Sequence, residues 1–183
     1  MATHNDDTRS KGACMTRRAF LFRSGAVVAG TIVLPRIPGM QGKALAAEVA
    51  RYPKMFVGKL SLLKKNKPVF FNYPDKGQNS RNVLVMLGEP AGGGIGPKQN
   101  VVAFNTLCPH MGGDLSKSYQ ATDQALGPCP LHQSTFDLSK HGMIISGHAT
   151  ESLPQVLLEL EGDKIYAVGM LGLIYGRYDN LKA

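Results

Sequence analysis

The distribution of hydrophobic and polar residues after residue 47 predicts a chain built almost entirely from β-strands. Short runs of β-branched, aromatic and aliphatic residues alternate with clusters of Gly, Pro, Asn and Asp, which is typical of strands joined by turns. Stretches with a helical period are nearly absent from this part of the chain. The predicted strands cover residues 69–73, 82–87, 101–107, 134–138, 143–146, 155–160, 164–168 and 171–175.

Two of the connections are predicted to be hairpin turns, at residues 139–142 and 161–164. Each contains a glycine, which permits the positive φ angles that tight turns require. In the strand before the second turn, Val156, Leu158 and Leu160 alternate onto one face. We therefore expect an all-β fold, an antiparallel sandwich with that strand half-buried against its core.

The N-terminal region has a different pattern, which predicts an export leader. Two adjacent arginines, Arg17 and Arg18, precede a short apolar run at residues 25–34 and an Ala-Leu-Ala sequence at 44–46. A basic segment, an apolar segment and an A-x-A site describe a secretory signal, and the arginine pair indicates the twin-arginine route. We predict a signal peptide over residues 1–46 and a periplasmic protein, with the leader either cleaved or retained as an anchor. The apolar run is too short to span a bilayer.

The charge of the chain lies largely in this leader. The formal net charge is +8, but seven of the 21 Lys and Arg residues and two of the 13 Asp and Glu residues lie in the first 46 positions, which leaves +3 for the rest. A weakly basic domain of about 137 residues gives no reason to expect nucleic-acid binding. It also suits one domain with a modest core.

Two pairs of cysteine and histidine are the candidate chemistry. Cys108 and His110 form a C-x-H pair, and Cys129 and His132 form a C-x-x-H pair. Two thiolates and two imidazoles can hold a [2Fe-2S] cluster of the kind in which the two histidines ligate one iron. The same four side chains can also close around one zinc ion. Neighbouring glycines favour iron and sulfide, because they let the backbone approach a cluster closely.

At these residues the chain resembles the Rieske family, whose loops read C-x-H-x-G and C-P-x-H-x-S. The resemblance implies a Rieske-type domain over residues 47–183, with a cluster-binding subdomain at about 100–155. It also implies that Cys108 and Cys129 bind the inner iron, and that His110 and His132 bind the solvent-facing iron and provide the exit for electrons.

Three positions near the ligands depart from the pattern of the Rieske subunits in cytochrome bc complexes. Those subunits carry an additional, disulfide-bonded cysteine in each loop, where this chain has Gly113 and Leu131. They also have a tyrosine that bonds to a ligand sulfur, where this chain has Phe136, while Ser134 keeps the companion hydroxyl. Because a donor to sulfur is lost, we expect a lower reduction potential than in bc-type proteins.

The leader, the missing disulfide and the sequence at 146–155 together resemble the small subunits of arsenite oxidases. This resemblance implies a heterodimer with a large molybdopterin subunit that carries a [3Fe-4S] cluster, and a cytochrome c or a copper protein as electron acceptor. The chain would relay electrons and have no substrate site. The alternative is the Rieske subunit of a cytochrome bc-type quinol oxidoreductase.

Three further features near the predicted ligands are not expected to supply ligands. The glycine-rich residues 91–97 lack the Gly-Lys-Ser/Thr ending of a phosphate loop and predict a flexible surface loop. His141 and His148 have no cysteine at motif spacing and are predicted to lie outside the ligand set, at the surface or next to the ligands. Residues 149–154 are expected to form a third wall over the cluster.

Overall fold

The computed structural model describes residues 52–181, and within that range it contains ten β-strands and no α-helix. The predicted leader and its boundary at residue 46 lie outside the described residues. The all-β prediction is confirmed. No helix between residues 52 and 181 is long and apolar enough to cross a membrane.

Six strands form a large antiparallel sheet in the order β1-β10-β9-β4-β3-β2. A single 3-10 turn, Leu60–Leu62, follows the first strand. The six strands are β1 (Met55–Lys59), β2 (Val69–Asn72), β3 (Arg81–Met86), β4 (Val101–Asn105), β9 (Gln155–Glu161) and β10 (Lys164–Leu171).

Four short strands form a small antiparallel sheet in the order β5-β6-β7-β8. They are β5 (Tyr119–Gln120), β6 (Ala125–Leu126), β7 (Thr135–Asp137) and β8 (Met143–Ser146). The small sheet lies in the chain between β4 and β9, and these two strands pair directly in the large sheet, with Ala103 opposite Val156. The segment from 106 to 154 therefore leaves the large sheet and returns to it at neighbouring strands.

Strands β3 and β4 are buried on both faces, which is why they read as continuous apolar runs rather than alternating ones. Successive side chains of a strand point to opposite faces, so each strand contributes to two apolar clusters. Val85 and Phe104 pack into the first cluster, together with both cysteines of the predicted ligand set. Leu84 and Ala103 pack into the second, the core of the large sheet. The first cluster thus anchors the ligand loops to the most buried strands.

The predicted hairpins are both present, as β7–β8 and β9–β10. In the first turn His141 and Gly142 have φ angles of +55° and +68°, and in the second Gly162 has a φ of +59°. The face predicted to be half-buried is also found, because Val156 and Leu158 are buried while Leu157 is exposed.

One predicted strand is wrong, and three strands were not predicted. Residues 171–175 do not form a separate strand, because β10 continues to Leu171 and Gly172 then turns the chain with a φ of +81°. Strands β5 and β6 have only two residues each, too few to show a periodicity. Strand β1 contains Gly58, which marks a bulge opposite β10 rather than a regular alternation.

The glycine-rich segment 91–97 packs against the first hairpin. The Gly92 N–H donates to the carbonyl of Ser139 at 2.8 Å, and the Gly92 carbonyl accepts from Nε2 of Gln155 at 2.8 Å. Oε1 of Gln155 in turn lies 2.8 Å from Nδ1 of His141. These bonds tie the segment to β9 and to the β7–β8 turn.

Candidate metal centre

The first ligand loop, residues 108–113, is closed by two backbone hydrogen bonds. The Cys108 N–H donates to the Gly113 carbonyl at 2.9 Å, and the Gly112 N–H donates back to the Cys108 carbonyl at 2.8 Å. Gly112 has a φ of +68°, the left-handed conformation that favours glycine. The loop follows β4 almost immediately, so its position is set by a strand that is buried on both faces.

The second ligand loop, residues 129–134, has the same hydrogen-bond pattern. The Cys129 N–H donates to the Ser134 carbonyl at 2.8 Å, and the Gln133 N–H donates to the Cys129 carbonyl at 2.9 Å. Gln133, the fifth residue of this loop, has a φ of +62°, close to the +68° of Gly112 at the fifth position of the first loop. The two loops therefore share one backbone geometry although their histidines lie at different spacings. Sequence reasoning did not find this likeness, because a glutamine gives no signal for a positive φ.

The two cysteines are buried together. Cys108 and Cys129 are each 1% exposed, and their thiols interact directly. Burial raises the pKa of the Cys108 thiol, and the neighbouring Cys129 adds to this effect, while the backbone N–H groups of His110 and Met111 oppose it by hydrogen bonding to Cys108 Sγ. Because the raised pKa favours the protonated thiol, binding a metal here releases a proton.

The two histidines form a matching pair of nitrogen ligands. The rings of His110 and His132 lie edge to face, with their centroids 4.7 Å apart. In both rings Nδ1 is buried and has no hydrogen-bond partner. Burying a polar atom without a hydrogen-bond partner costs free energy. Coordination of a metal ion removes this cost for an imidazole nitrogen. These two atoms fit the nitrogen ligands of an iron.

The four side chains are thus arranged as a sulfur pair and a nitrogen pair. Within residues 52–181 no group of three or more His, Cys, Asp or Glu side chains converges where a single ion could bind. Two irons that are ligated separately, one by sulfur and one by nitrogen, match the arrangement seen. When bound, such a cluster accepts and releases one electron at a time, and the chain's own contribution is to hold the ligands and exclude water from the sulfur side.

Ser134 is the last residue of the second loop and Phe136 follows two positions later; both are fully buried. The Ser134 Oγ accepts hydrogen bonds from the backbone N–H groups of His148 and Ala149, at 3.1 and 3.0 Å. A hydroxyl that accepts twice still has its own hydrogen to donate. Phe136 belongs to the same apolar cluster as both cysteines. Its ring supplies packing at this point and no hydrogen bond.

The segment after β8 covers the second loop, in the place expected for the third wall. A Cβ on Gly147 would collide with the backbone of Ser134, so only glycine allows this approach, and Gly147 has a φ of +97°. Ala149 and Leu153 then pack into the apolar cluster that holds the thiols.

His148 lies closer to the predicted ligands than its spacing suggested. Its ring is exposed, and its centroid lies 6.1 Å from that of His110 and 6.0 Å from that of His132. Gly147 brings it there by turning the chain against the second loop. His148 thus lies at the surface and next to the predicted ligands, within the range that was predicted for it, although sixteen positions separate it from His132.

Comparison with known proteins decides the family. A model of the Rieske [2Fe-2S] domain matches residues 54–157, more than half of the chain. The chain belongs to the Rieske [2Fe-2S] domain family. Its cofactor is accordingly a Rieske-type [2Fe-2S] cluster, and a structural zinc site is not supported.

Two curated relatives of this Rieske protein match over nearly its whole length. It is 56% identical to the iodate reductase subunit IdrB of Denitromonas iodatirespirans, over 97% of this chain and 94% of the relative. It is 51% identical to the same-named subunit of Pseudomonas sp. (strain SCT), over 94% of this chain and 88% of the relative. The resemblance to arsenite oxidase is therefore borne out only at a coarser level, as a Rieske electron-transfer subunit of an oxidoreductase.

A solved structure supports the fold assignment. The soluble domain of the Rieske protein II (soxF) from Sulfolobus acidocaldarius is 25% identical and superposes with a TM-score of 0.54, covering 65% of this chain and 78% of that one. The Rieske fold predicted from the two loops is thus confirmed, whereas the assignment of individual ligands stays a prediction that fits the geometry.

Proposed function

We propose that this chain is the Rieske electron-transfer subunit of an exported iodate reductase, in which it passes single electrons to a larger catalytic subunit. The observation that carries the proposal is the arrangement of two buried thiols and two imidazoles with unpartnered Nδ1 atoms, in a chain 56% identical to an iodate reductase subunit. Cys108, Cys129, His110 and His132 are the proposed ligands.

The site holds ligands for electron transfer and offers little for substrate chemistry. Both cysteines and Ser134 are buried, and among the four predicted ligands only the two histidine rings reach solvent. An electron-transfer group needs one edge near the surface and little reorganisation around it. We therefore propose that the substrate is reduced in the partner subunit. The resemblance to arsenite oxidase small subunits implies that this partner is a large molybdopterin subunit with a [3Fe-4S] cluster.

Arsenite oxidase is the second candidate, and its support is the resemblance at the ligand loops and at residues 146–155. The two candidates differ in the direction of electron flow, because arsenite oxidation releases electrons and iodate reduction consumes them. In an arsenite oxidase the Rieske cluster would pass electrons onward to a cytochrome c or a copper protein. In an iodate reductase a protein of that kind would reduce the Rieske cluster.

The cytochrome bc alternative has less support. Its disulfide positions are Gly113 and Leu131 here, and a Cβ at Gly113 would lie only 2.5 Å from Cys129 Sγ. A cysteine cannot occupy that position without moving the first loop. The loops of this chain are therefore built for a centre without the disulfide.

The decisive experiment is purification of the tagged chain from its native host, followed by metal analysis and redox assays of the complex that accompanies it. We expect a much larger subunit and molybdenum, and we expect iodate to reoxidise the reduced Rieske cluster within the complex. Reduction of the oxidised cluster by arsenite would favour the second candidate. A complex with a diheme cytochrome b and no molybdenum would contradict both.

Export is tested separately in the full chain. We propose that Arg17 and Arg18 direct the folded protein to the periplasm, since a cluster has to be inserted before transport. Replacing both with lysine should leave the cluster-loaded protein in the cytoplasm, as seen by fractionation. Replacement of Arg9, which precedes the motif, serves as the matched control.

A further inference from the structure

The segment that follows β10, residues 172–181, is fastened to the large sheet by buried polar side chains. The Arg177 side chain is 3% exposed and donates to Asp75 Oδ2 at 2.8 Å and to Ser80 Oγ at 2.6 Å. The side chain of Asn180 accepts from the Ile174 N–H at 2.9 Å and donates to the Gly172 carbonyl at 2.8 Å. We call residues 172–181 the C-terminal hook.

The hook places one aromatic ring against the first ligand loop. Tyr175 follows the fully buried Ile174, and its carbonyl accepts a hydrogen bond from Nδ2 of Asn79 at 2.9 Å. A Cβ on Gly112 would lie 2.5 Å from both Cδ1 and Cε1 of Tyr175. The ring therefore fills the space beside Gly112 that a side chain would otherwise occupy.

Gly112 is the residue that closes the first loop. Its N–H donates to the carbonyl of Cys108 at 2.8 Å, and the two residues before it, His110 and Met111, donate their backbone N–H groups to Cys108 Sγ. A ring pressed against Gly112 prevents this turn from opening outward. Donors to a ligand sulfur stabilise the more negative, reduced state of a cluster, so their placement affects its reduction potential.

We propose that Tyr175 is a positioning residue for the [2Fe-2S] centre, holding the first ligand loop closed by the contact of its ring with Gly112. The proposal rests on the proposed function insofar as it concerns a bound cluster. The second loop has a comparable contact, because Leu131 packs beside Gly113, with its Cγ 3.2 Å from the position of a Cβ there. Tyr175 and Leu131 thus flank the Gly112-Gly113 pair where bc-type proteins use a disulfide.

The test compares three variants in the cluster-loaded full-length protein: Tyr175→Ala, Tyr175→Phe and Tyr178→Ala. Tyr175→Ala removes the ring, whereas Tyr175→Phe keeps every ring atom that lies near Gly112. Tyr178 is in the same hook and is 83% exposed, so its replacement is the matched control. The measurements are the midpoint potential, the electron paramagnetic resonance spectrum of the reduced cluster and hydrogen exchange of a peptide covering residues 106–115.

We expect Tyr175→Ala to lower the midpoint potential, to alter the g values and to speed exchange in peptide 106–115. The other two variants should match the wild-type protein in all three measurements. If Tyr175→Ala matches the wild type as well, or if Tyr175→Phe shifts as far as Tyr175→Ala, the ring does not act as proposed.

Two further results keep the test decisive. If Tyr175→Ala does not retain iron, Tyr175→Leu replaces it, because leucine keeps part of the apolar volume; exchange in peptide 106–115 equal to that of the wild type would then overturn the proposal. Iron-free wild-type protein from the native host would contradict the proposed function instead, and the exchange comparison would still judge the contact between ring and loop.

Discussion

The side chain of Leu131 packs against Gly113, at the two positions where bc-type Rieske proteins carry a disulfide. A Cβ on Gly113 would lie 3.2 Å from Leu131 Cγ and 2.5 Å from Cys129 Sγ. The absence of a Cβ lets one loop lie directly on the ligand sulfur of the other. An apolar contact thus replaces a covalent link between the loops, and it leaves Leu131 partly exposed beside the histidines.

Gly113→Ala is expected to weaken cluster binding strongly. The new methyl group would approach Cys129 Sγ to a distance that real side chains do not adopt, so either the sulfur or the first loop has to move. Iron and acid-labile sulfide per chain should fall well below one cluster. Gly162→Ala is the control, because a Cβ there meets nothing within 4 Å, although alanine at a φ of +59° costs about 1 kcal/mol. Full cluster content in Gly113→Ala would show that the loops can separate freely.

The ligand assignment predicts a difference among three neighbouring histidines. His110→Ala and His132→Ala should each abolish the Rieske electron paramagnetic resonance signal, because each removes a buried Nδ1 with no other partner. His148→Ala should retain the signal, since that ring is exposed and lies about 6 Å from both. Loss of the cluster in His148→Ala together with its retention in His110→Ala would reverse the assignment.

Ser134→Ala is expected to lower the reduction potential without removing the cluster. The Ser134 hydroxyl accepts from His148 and Ala149 and has one hydrogen left for an acceptor, which a cluster sulfur supplies in our interpretation. Losing that donor disfavours the reduced state. Two backbone N–H groups also lose their acceptor, so unfolding should become easier by about 1–3 kcal/mol. Redox titration and urea unfolding separate the two effects; a changed stability with an unchanged potential would refute the tuning role.

Phe136→Tyr is expected to raise the reduction potential. Phe136 is fully buried in the apolar cluster of side chains that also contains both cysteines, so a new hydroxyl needs a hydrogen-bond partner there. If it donates to a ligand sulfur, the reduced state is favoured and the potential rises within the range of about −150 to +300 mV known for such centres. If the potential is unchanged and the protein is destabilised, the hydroxyl is buried without a partner and the sulfur lies out of its reach.

The ion pair of the C-terminal hook predicts a pH dependence of stability. Hydrogen bonding to Arg177, aided by Ser80 and the Gly77 N–H, holds the pKa of Asp75 well below its usual range. The resulting stability is complete above the unfolded-state pKa of about 3.9, declines as the pH falls below that value, and is lost once the pH falls through the lower pKa of the folded state. Asp75→Asn should therefore cost about 1–2 kcal/mol at pH 7, less than the roughly 3–5 kcal/mol typical of breaking a fully buried pair, because solvent screens the Asp75 side chain, which is 34% exposed.

This difference in stability between the wild type and Asp75→Asn should narrow between pH 4 and pH 3. Urea unfolding at each pH, with matched cluster content, provides the measurement. A difference that stays constant across that range would mean that the carboxylate charge contributes nothing, and that the substitution acts through packing alone.

The sequence by itself determined seven of the ten strands in residues 52–181 and two hairpins, and it indicated which residue types can hold a cluster. Alternating apolar residues, as in 155–160, report a half-buried strand because side chains in a strand alternate between faces. Paired cysteine and histidine residues at short spacing report a cluster because those atoms are the chemistry iron requires. Each of these signals involves residues that are close together in the sequence, so it can be recognised from a single sequence.

Only the tertiary structure decided how the ligands meet and what surrounds them. The position of His148 beside the rings of the predicted ligands and the ring of Tyr175 on Gly112 both depend on contacts between distant segments. No spacing in the sequence encodes such contacts, because they arise from the pairing of β4 with β9 and from the packing of the hook on the large sheet. The candidate ligands can therefore be predicted from the sequence, whereas their enclosure is set by the fold.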